Sequence, residues 1–284
     1  MTPGRDSSLR LSRRAALGRL GALLAAGLWP GALRALAPGP GRGFRFAALN
    51  DLHHRDPGCE PWFAELFENV AAARPAFTLL LGDLADQGAR DSLAAVARLA
   101  GARGARVHAV PGNHDHDVTP DGRLFAEAFP GQENQTFTHE GWQFVGLDTT
   151  QGEAWHDTRV GAVTLAWLDA ALPRLDPARP TVIFTHFPLV PGVRAPNGVP
   201  MTPLNAEEVL ARFERFNLRA ALCGHFHGRR AESRRGAELS THATCGRVSR
   251  NHDGTTAKGW RLCTARADGT FAAEFMPVPA RPAS

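Results

Sequence analysis

The sequence predicts a layered α/β domain with mixed β-sheets, on three observations. Between residues 44 and 223, short apolar runs of strand length alternate with longer segments whose apolar residues recur at helical spacing. After residue 237 the chain changes to short alternating runs separated by turn signals, which is typical of antiparallel strands. Polar blocks end several of the apolar runs, as in open α/β sheets that bind ligands at the carboxyl ends of their strands. Strand–helix alternation followed by a strand-rich tail therefore favours this fold class.

The first part of the alternating region contains three predicted strands and three predicted helices. Proline at position 61 suits the first turn of a helix, because its ring fixes φ and its missing N–H would have no partner there. The run at 76–81 is almost entirely apolar, as in a buried strand. The predicted strands are 44–49, 76–81 and 106–110, and the predicted helices are 61–73, 92–100 and 123–129.

The second part continues the alternation and ends in the strand-rich tail. A hairpin is predicted around residues 140–141, and Asp-Gly turns at 253–254 and 268–269 divide the tail. Residues 188–204 are rich in proline and glycine without periodicity, so they predict a long loop that follows His186 and forms part of a pocket rim. The predicted strands here are 136–139, 143–147, 181–185, 220–223 and antiparallel strands within 237–276, and the predicted helices are 164–172 and 206–213.

The first 37 residues are predicted to be an export signal. Ser12-Arg13-Arg14-Ala15-Ala16-Leu17 resembles the twin-arginine motif, and Ala35-Leu36-Ala37 offers a cleavage site of small residues. The apolar stretch between them is too short and too broken to span a bilayer, so no stable membrane anchor is expected. The less favoured alternatives are a disordered extension and an uncleaved anchor.

A twin-arginine signal implies a partner and a location. The partner is the bacterial twin-arginine translocation machinery, which exports folded proteins, and the location is periplasmic or secreted. Residues 38–43 are then predicted to be a linker, and residues 44–284 a single domain. Whether the signal is cleaved stays open at this stage, as does the oligomeric state.

The net charge of +4 is concentrated at the N-terminus. Residues 1–37 hold six arginines and one acidic residue, so the rest of the chain carries a net charge of −1. A nearly neutral body lacks the positive field that neutralises many phosphates, and no nucleic acid is expected as a partner. Lys258 is the sole lysine, so phosphate contacts would fall to arginine.

The four cysteines do not form a disulfide framework for a chain of 284 residues. Cys245 and Cys263 lie on successive predicted strands and would pair if they faced each other; the favoured alternative is four buried thiols. The chain has no C-x-x-C motif, which argues against a cysteine-bound zinc ion.

Five short polar blocks supply a set of metal ligands. Each ends a predicted strand, and together they contain two aspartates, one asparagine and four histidines suited to hard or borderline metals. His53, Asp83 and Asn113 follow one another at intervals of 30 residues. Seven ligands suffice for two metal ions that share one bridging carboxylate. The blocks are Asp51-Leu-His53, Gly82-Asp83, Gly112-Asn113-His114-Asp115, Thr185-His186 and Gly224-His225-Phe-His227.

In this order, the blocks resemble the calcineurin-like metallophosphoesterase superfamily over roughly residues 44–230. The resemblance implies a four-layer αββα fold, in which two mixed β-sheets pack face to face and are flanked by helices. It also implies hydrolysis of a phosphoester, with a hydroxide shared by two metal ions attacking phosphorus in line with the leaving group.

The resemblance assigns a role to each block. His114 is similar to the family's general acid, and Asp86 matches the carboxylate that holds this histidine, with Asp115 as a second candidate. The two metal ions would be Mn, Fe, Zn or Co, because mixed nitrogen and oxygen ligation does not choose among them. The implied ligands are Asp51, His53, Asp83 and His227 for one ion, and Asp83, Asn113, His186 and His225 for the other.

Other features narrow the reaction. The chain has no tyrosine, which excludes the ferric–tyrosinate centre of purple acid phosphatases. The segments 144–169 and 185–188 resemble the compact branch that contains class III cyclic-nucleotide and glycerophosphodiester phosphodiesterases. A phosphodiester of a small molecule is therefore the favoured substrate. The alternatives are a phosphomonoester, or a catalytically silent scaffold that retains the metals.

Substrate contacts are predicted from position alone. Arg194 and Asn197 in the proline-rich loop, His156 beside Trp155, and the ligand Asn113 are candidates, and the first three are otherwise plain loop residues. His54 adjoins the blocks and is predicted to be solvated or to lie behind a ligand. The histidines predicted to lie at the surface are His116, His139, His156, His242 and His252.

Overall fold

The computed structural model describes residues 43–116 and 123–278, together with Met1. Two mixed β-sheets form the centre of the described fold, with strand orders β11-β10-β1-β2-β3 and β4-β5-β6-β7-β9-β8. The strands are β1 (Phe44–Leu49), β2 (Thr78–Leu81), β3 (Val107–Val110), β4 (Gln135–His139), β5 (Trp142–Leu147), β6 (Thr181–Thr185), β7 (Leu218–Cys223), β8 (Arg230–Arg234), β9 (Ala237–Thr241), β10 (Gly259–Ala265) and β11 (Phe271–Pro277). The helices are α1 (Glu60–Ala72), α2 (Arg90–Ala100), α3 (Arg123–Ala128), α4 (Ala162–Ala171) and α5 (Ala206–Ala211).

Parallel strands form the centre of both sheets. In the first sheet β1, β2 and β3 are parallel, and β10 and β11 add an antiparallel edge. In the second sheet β5, β6, β7 and β9 are parallel, and β4 and β8 close the two edges in antiparallel pairing. Consecutive parallel strands bring their carboxyl ends to one edge of each sheet, where ligands bind in such folds.

The two sheets face each other across an aromatic core. Phe46 and Phe77 of the first sheet stack with ring centroids 5.1 Å apart, and Phe144 of the second sheet meets Phe46 edge to face at 5.3 Å. All three side chains are at most 1% exposed. Each fully buried phenylalanine contributes roughly 1.5–3 kcal/mol by transfer from water, so this layer holds the sheets together.

Helices cover the outer faces of both sheets. Phe63 and Leu66 of α1 and Val96 of α2 pack into the core beneath the first sheet. Val209 and Leu210 of α5 do the same for the second sheet. Helix, sheet, sheet and helix therefore follow one another, and the predicted four-layer αββα fold is confirmed.

The loop at 188–204 is more buried than its composition suggested. Leu189, Val190, Val193 and Met201 are at most 2% exposed and belong to the outer core of the second sheet. The apolar residues show no periodicity because the loop is irregular. Their side chains are nevertheless as fully buried as those on the inner face of a helix. The loop is thus anchored to the core along much of its length.

Two features of the C-terminal region differ from the prediction. β8 was missed, since its residues are mostly exposed and charged and give no apolar alternation. The tail was predicted to be antiparallel, but β9 pairs in parallel with β7 in one sheet, whereas β10 and β11 join the other sheet. Turn signals mark where strands end and carry no information about which sheet receives them.

The four cysteines are free and buried. Cys245 packs beneath the outer face of the first sheet, whereas Cys263 lies in the core between the sheets. These two thiols thus lie in different layers and are not paired with each other. The structure agrees with the favoured alternative of four buried thiols.

The predicted signal at 1–37 and almost all of the linker at 38–43 fall outside the described residues, so they stay predictions. Within residues 43–116 and 123–278, no helix combines the length and the apolar character needed to cross a membrane.

Candidate metal centre

The five polar blocks meet at the carboxyl ends of the parallel strands. Asp51 follows β1, Asp83 follows β2 and Asn113 follows β3 in the first sheet. His186 follows β6 and His225 follows β7 in the second sheet. Because the sheets pack face to face, their strand ends bring all seven predicted ligands to one buried site; His227, the most exposed of them, is 8% exposed.

One group of four side chains is arranged to hold a cation. Asp51, His53, Asp83 and His227 each place one ligand atom within 4.8 Å of the others. His53 Nε2 lies 3.1 Å from His227 Nε2 and 3.5 Å from Asp83 Oδ2. His227 Nε2 lies 3.2 Å from Asp51 Oδ1.

A second group shares Asp83 with the first. Asp83, His186 and His225 place their ligand atoms within 4.8 Å of one another. His186 Nε2 lies 3.3 Å from Asp83 Oδ1 and 3.2 Å from Asn113 Oδ1, so the asparagine joins this group. The two oxygens of Asp83 therefore face different groups, as a bridging carboxylate requires.

Backbone carbonyls orient three of the histidine rings. His186 Nδ1 donates to the Leu81 carbonyl at 2.9 Å, and His227 Nδ1 donates to the Arg250 carbonyl at 3.1 Å. His225 Nε2 donates to the Trp155 carbonyl at 2.9 Å. A hydrogen bond of this kind fixes the tautomer and leaves the other nitrogen as a ligand.

These hydrogen bonds direct lone pairs at one another. With Nδ1 of His227 donating outward, its Nε2 presents a lone pair toward His53 Nε2 and the carboxylates. Converging acceptors repel each other unless positive charge lies between them. The arrangement therefore fits divalent cations, and the mixed nitrogen and oxygen donors suit Mn, Fe, Zn or Co.

The electrostatics of the cluster also call for positive charge. Burial lowers the pKa of His186, but Asp83 and Asp51 outweigh it and raise that pKa to about 9. Burial favours the neutral forms of Asp51 and Asp83, yet the neighbouring histidines hold the pKa of both carboxyls well below the usual range. Burial and the charge of His186 lower the pKa of His225 to about 3, so this ring stays neutral and able to ligate.

The backbone is strained where the ligands sit. Five of the seven predicted ligands have φ in the left-handed region, which costs non-glycine residues roughly 1–3 kcal/mol each. Hydrogen bonds hold this conformation, including His53 N to the Asp83 carbonyl at 2.9 Å. Strain that the surroundings maintain in this way is typical of a functional site. The five residues are Asp51 (φ 55°), His53 (48°), Asp83 (50°), His225 (67°) and His227 (46°).

Two glycines of the motifs permit close packing around Asp83. A Cβ at Gly82 would lie 2.6 Å from His186 Nδ1, and a Cβ at Gly112 would collide with the backbone nitrogen of Asp83. Gly82 also has a φ of 79°, which a side chain disfavours. These blocks therefore need their glycines for close packing around Asp83, as well as the predicted ligands that follow them.

His114, the predicted general acid, lies at the edge of the cluster. Its Nδ1 donates to the backbone carbonyl of Asp86 at 2.8 Å, so Nε2 is the nitrogen left to exchange a proton. Its ring meets the ring of His53 edge to face, with centroids 4.8 Å apart. The backbone N–H of His114 donates to Asp83 Oδ1 at 2.9 Å, which ties this residue to the bridge.

The Asp86 carboxylate does not contact His114 in the way the sequence suggested. It faces His53 Nδ1 at 3.3 Å and accepts from Arg55 Nε at 2.8 Å. These two partners lower the pKa of Asp86 to about 2. Asp86 therefore supports His114 through its backbone and orients His53 through its side chain, a division that no motif reveals.

Asp115, the second candidate partner of His114, has a structural role. Its carboxylate accepts from the backbone N–H groups of Leu84, Ala85 and Gly112, each at 2.8 Å. It therefore joins the turn after β2 to the turn after β3. Burial, together with the charge of Asp83, raises the pKa of Asp115 to about 7.

Comparison with known proteins identifies the family. The family model for calcineurin-like phosphoesterases matches residues 44–229. The chain belongs to this family. Two curated proteins are also similar to this chain. A 3′,5′-cyclic-nucleotide phosphodiesterase of Nostoc sp. (strain PCC 7120) is 27% identical over 76% of this chain and 83% of its own length. A protein of Synechococcus sp. (strain PCC 6301) named "Probable cyclic nucleotide phosphodiesterase" is 27% identical over 81% of this chain and 90% of its own length.

Among solved structures, a purple acid phosphatase from yellow lupin (Lupinus luteus) seeds has the same fold. The TM-score is 0.61, at 13% identity, over 85% of this chain and 52% of the lupin chain. The chain thus spans about half the length of the lupin protein. The likeness concerns the fold alone, and this chain contains no tyrosine.

A cavity of about 550 Å³ opens beside the cluster on the side of His114. Some of its lining residues belong to the sequence motifs, and others lie outside them. His116 was predicted to lie at the surface, yet it is only 8% exposed, and its position directly after the Gly112–Asp115 block was the signal available. The lining residues are Asp86, Gln87, Asn113, His114, His116, Glu153 and Trp155.

The predicted substrate contacts lie apart from that lining, except for Asn113. Arg194 donates to the Gly198 carbonyl, and Asn197 accepts from the Val199 N–H, so the contacts of both stay within their own loop. His156 bonds to Asp157 and meets the Trp155 ring at 4.3 Å. The roles of these three residues toward a substrate stay predictions.

Two further histidines differ from their predicted surroundings. His54 is 2% exposed and stacks on Phe63 with ring centroids 5.6 Å apart, so it is neither solvated nor turned to the cluster. His242, predicted at the surface, is 7% exposed and accepts from Arg261 Nη1 at 2.6 Å. Both are buried by strands and helices distant in sequence, which local pattern does not show.

Proposed function

We propose that this protein hydrolyses small phosphodiesters at a centre of two divalent cations bridged by Asp83. One observation carries the proposal: two groups of ligands share this buried carboxylate, and an imidazole with a free Nε2 stands at their edge. Asp51, His53, Asp83 and His227 would hold one cation, and Asp83, Asn113, His186 and His225 the other. Bound cations there would supply the charge that lowers the pKa of a water molecule and stabilises phosphoryl oxygens.

The residues of the chain supply the remaining chemistry. The leaving alkoxide needs a proton, and His114 Nε2 is placed to give it, since Nδ1 is occupied by the Asp86 carbonyl. The buried carbonyl partners of His186 and His227 hold the ligand rings in place during turnover. Asp115 keeps the turns that carry Asp83 and Asn113 together.

A diester suits this site better than a monoester. The cavity beside His114 is lined by two carboxylates, Asp86 and Glu153, which disfavour the second negative charge of a monoester. In an alkyl ester of either kind the leaving alkoxide needs a proton, which gives His114 its task. The names of the two cyanobacterial relatives support a cyclic nucleotide as the diester.

The test is a comparison of two chromogenic esters on protein loaded with Mn²⁺ and analysed for metal content. We expect bis(p-nitrophenyl) phosphate to be hydrolysed with a higher kcat/KM than p-nitrophenyl phosphate. Equal or reversed values would favour the phosphomonoesterase. Two bound metal ions without turnover of either ester would favour a silent scaffold.

We also propose that the protein is exported through the twin-arginine pathway to the periplasm or beyond. The support is the sequence of residues 12–17 and 35–37. Fusing residues 1–43 to a reporter in a bacterium tests it. Transport is expected with the natural signal and is expected to stop when Arg13 and Arg14 are both changed to Lys; transport that survives this change would point to another route.

A further inference from the structure

Asn50, a buried residue outside the five polar blocks, contacts a predicted metal ligand. It lies between the end of β1 and Asp51, and it is 1% exposed. Its side-chain Nδ2 donates to Asp51 Oδ2 at 2.5 Å and to the His242 carbonyl at 3.3 Å. Both partners are acceptors, so the nitrogen of the amide faces them and both of its hydrogens are used. A buried amide bonded in this way holds its partners at set positions.

This amide makes the two carboxylate oxygens of Asp51 unequal. The backbone N–H of His225 lies between them, 3.0 Å from Oδ1 and 3.1 Å from Oδ2. Asn50 adds a second donor to Oδ2 alone, whereas Oδ1 lies 3.2 Å from His227 Nε2. Oδ1 is therefore the oxygen that faces the other predicted ligands, and Oδ2 is the oxygen that the protein itself holds.

A second buried residue holds the main chain of Asp51. The hydroxyl of the fully buried Thr244 donates to the Asp51 carbonyl at 2.6 Å and accepts from the Gly246 N–H at 2.9 Å. A Cβ at Gly246 would lie 2.8 Å from the Asp51 carbonyl oxygen, so the two segments touch. Thr244 thus stabilises the left-handed conformation of Asp51 (φ 55°), which costs a non-glycine residue roughly 1–3 kcal/mol.

The Asn50 side chain is not needed to join these two segments. The Cys245 N–H donates to the Asn50 carbonyl at 3.0 Å, through main-chain atoms that other residues would also supply. The side chain instead makes its shorter hydrogen bond to a carboxylate, and a hydrogen bond to a charged group is roughly twice as strong as one between neutral groups. Orienting Asp51 therefore accounts for a buried amide at this position.

We propose that Asn50 and Thr244 are positioning residues that make Asp51 a ligand through one oxygen. Asn50 retains Oδ2, which leaves Oδ1 for a cation, and Thr244 fixes the main chain from which the carboxylate extends. A carboxylate that binds through one oxygen uses one coordination position instead of two, and a catalytic metal site needs a position that stays open. The proposal rests on the two-cation centre of the proposed function and adds two residues outside the five polar blocks.

The first test removes the amide. In Asn50→Leu, which is similar in size and has no donor, competition with a fluorescent chelator for Mn²⁺ should show one of the two affinities about tenfold lower. Loss of groups that orient metal ligands usually costs about 10–100-fold. Asn205→Leu is the matched control, because this asparagine is 6% exposed and its amide bonds the Val160 N–H and carbonyl instead of a ligand. It should keep both affinities, and two unchanged affinities in Asn50→Leu overturn the role of Asn50.

The second test removes one hydroxyl with little change of shape, and it holds even where Asn50→Leu does not fold. In Thr244→Val, the same affinity should fall about fivefold, the worth of one ordinary hydrogen bond. Thr244→Ser keeps the hydroxyl and should restore the affinity. A loss in Thr244→Ser as large as that in Thr244→Val would assign the effect to packing and overturn the role of the hydroxyl.

Metal binding separates this inference from the reaction. If the natural protein binds two cations and hydrolyses neither ester, the proposed function fails, and the affinities of the variants still decide the inference. With Co²⁺ in place of Mn²⁺, the visible absorption spectrum should change in Asn50→Leu and stay the same in Asn205→Leu. An unchanged spectrum in Asn50→Leu overturns the assignment of the Asp51 oxygens, and a natural protein that binds no cation overturns the inference together with the proposed centre.

Discussion

Four histidines of the site have one nitrogen bonded to a backbone carbonyl and the other left for chemistry: His114, His186, His225 and His227. His114 shows this most directly, because its Nδ1 is fixed by the Asp86 carbonyl and its Nε2 is free. Sequence motifs identify the histidine but not the nitrogen. The partner that decides between them is a backbone carbonyl, which every residue possesses.

Replacing His114 by alanine should separate acid catalysis from metal binding. We expect the metal content to stay at the natural value, because His114 is not one of the seven predicted ligands. Its ring contacts Asp86 and His53. The kcat for cyclic AMP should fall about 10²–10⁴-fold, the usual worth of a general acid. The fall for bis(p-nitrophenyl) phosphate should be much smaller, because nitrophenolate leaves without a proton. Equal losses on both substrates would remove His114 from the acid role.

The buried His242 should make stability depend on pH. Burial and the charge of Arg261 lower its pKa well below 6.5, so the folded protein keeps this ring neutral while the unfolded chain binds a proton. The contribution of the neutral His242 ring to the free energy of unfolding is complete above the pKa of histidine in the unfolded chain. It is lost as pH falls below about 6.5, at up to ~1.4 kcal/mol per pH unit.

We therefore expect His242→Gln to lose less stability between pH 7 and 5 than the natural protein, in urea denaturation of chelated samples. The glutamine oxygen can still accept from Arg261. Ser240→Ala is the matched control, since it removes another acceptor of Arg261 without removing a titrating group. It should lower stability at every pH by a similar amount. Parallel curves for the natural protein and His242→Gln would contradict this prediction.

At the scale of elements, the loop after β9 orients one predicted metal ligand, His227. The Arg250 carbonyl accepts from His227 Nδ1, and the His252 ring stacks on His227 with centroids 4.9 Å apart. Lys258 Nζ reaches back to the carbonyls of Gly246 and Ser249 and closes the loop. The only lysine of the chain is thus used for loop structure.

Lys258→Met should lower the metal affinity of the ligand group that contains His227. Loss of groups that orient metal-bound histidines usually costs about 10–100-fold in affinity, and we expect about tenfold for this more distant residue. Competition with a fluorescent chelator measures it, and one of the two affinities should change while the other stays. Lys258→Arg keeps the charge and the donors and should restore most of the loss. Unchanged affinity in Lys258→Met would show that the loop holds its shape without the lysine.

At the scale of the whole molecule, the candidate metal site lies where two sheets meet, so bound metal ions would connect both sheets. Asp51, Asp83 and Asn113 come from one sheet, and His186 and His225 from the other. Cations bound between them would oppose the repulsion of the buried carboxylates and lone pairs. A ligand that binds only the folded state stabilises it by about 4 kcal/mol at 1,000 times Kd.

Removing metal should therefore lower the melting temperature of the protein, and adding Mn²⁺ should restore it. In Asp83→Asn the rise on adding Mn²⁺ should be much smaller, because the bridge loses its charge. Asp91→Asn, an exposed aspartate at the start of α2, should respond like the natural protein. Differential scanning fluorimetry with metal analysis measures this. A full response in Asp83→Asn would place the cations elsewhere.

Most of the elements could be predicted from the sequence, because apolar periodicity is a local property. The predicted strands 44–49 and 181–185 agree with β1 and β6 residue for residue, and the other predicted elements are shifted by a few residues at their ends. β8 escaped because a charged edge strand depends on its neighbour's backbone rather than on an apolar face. The parallel pairing of β9 with β7 escaped because strand order is a long-range property.

The sequence by itself determined the family, the alternation of elements and the seven candidate ligands, since motif residues and their spacing are written in the chain. Only the tertiary structure decided how those residues are used. It assigned the tail to two sheets, placed Asp86 on His53 and its carbonyl on His114, and buried His116 in the wall of a cavity beside Trp155. The physical reason is that burial and backbone hydrogen bonds arise between segments far apart in sequence, where local pattern carries no signal.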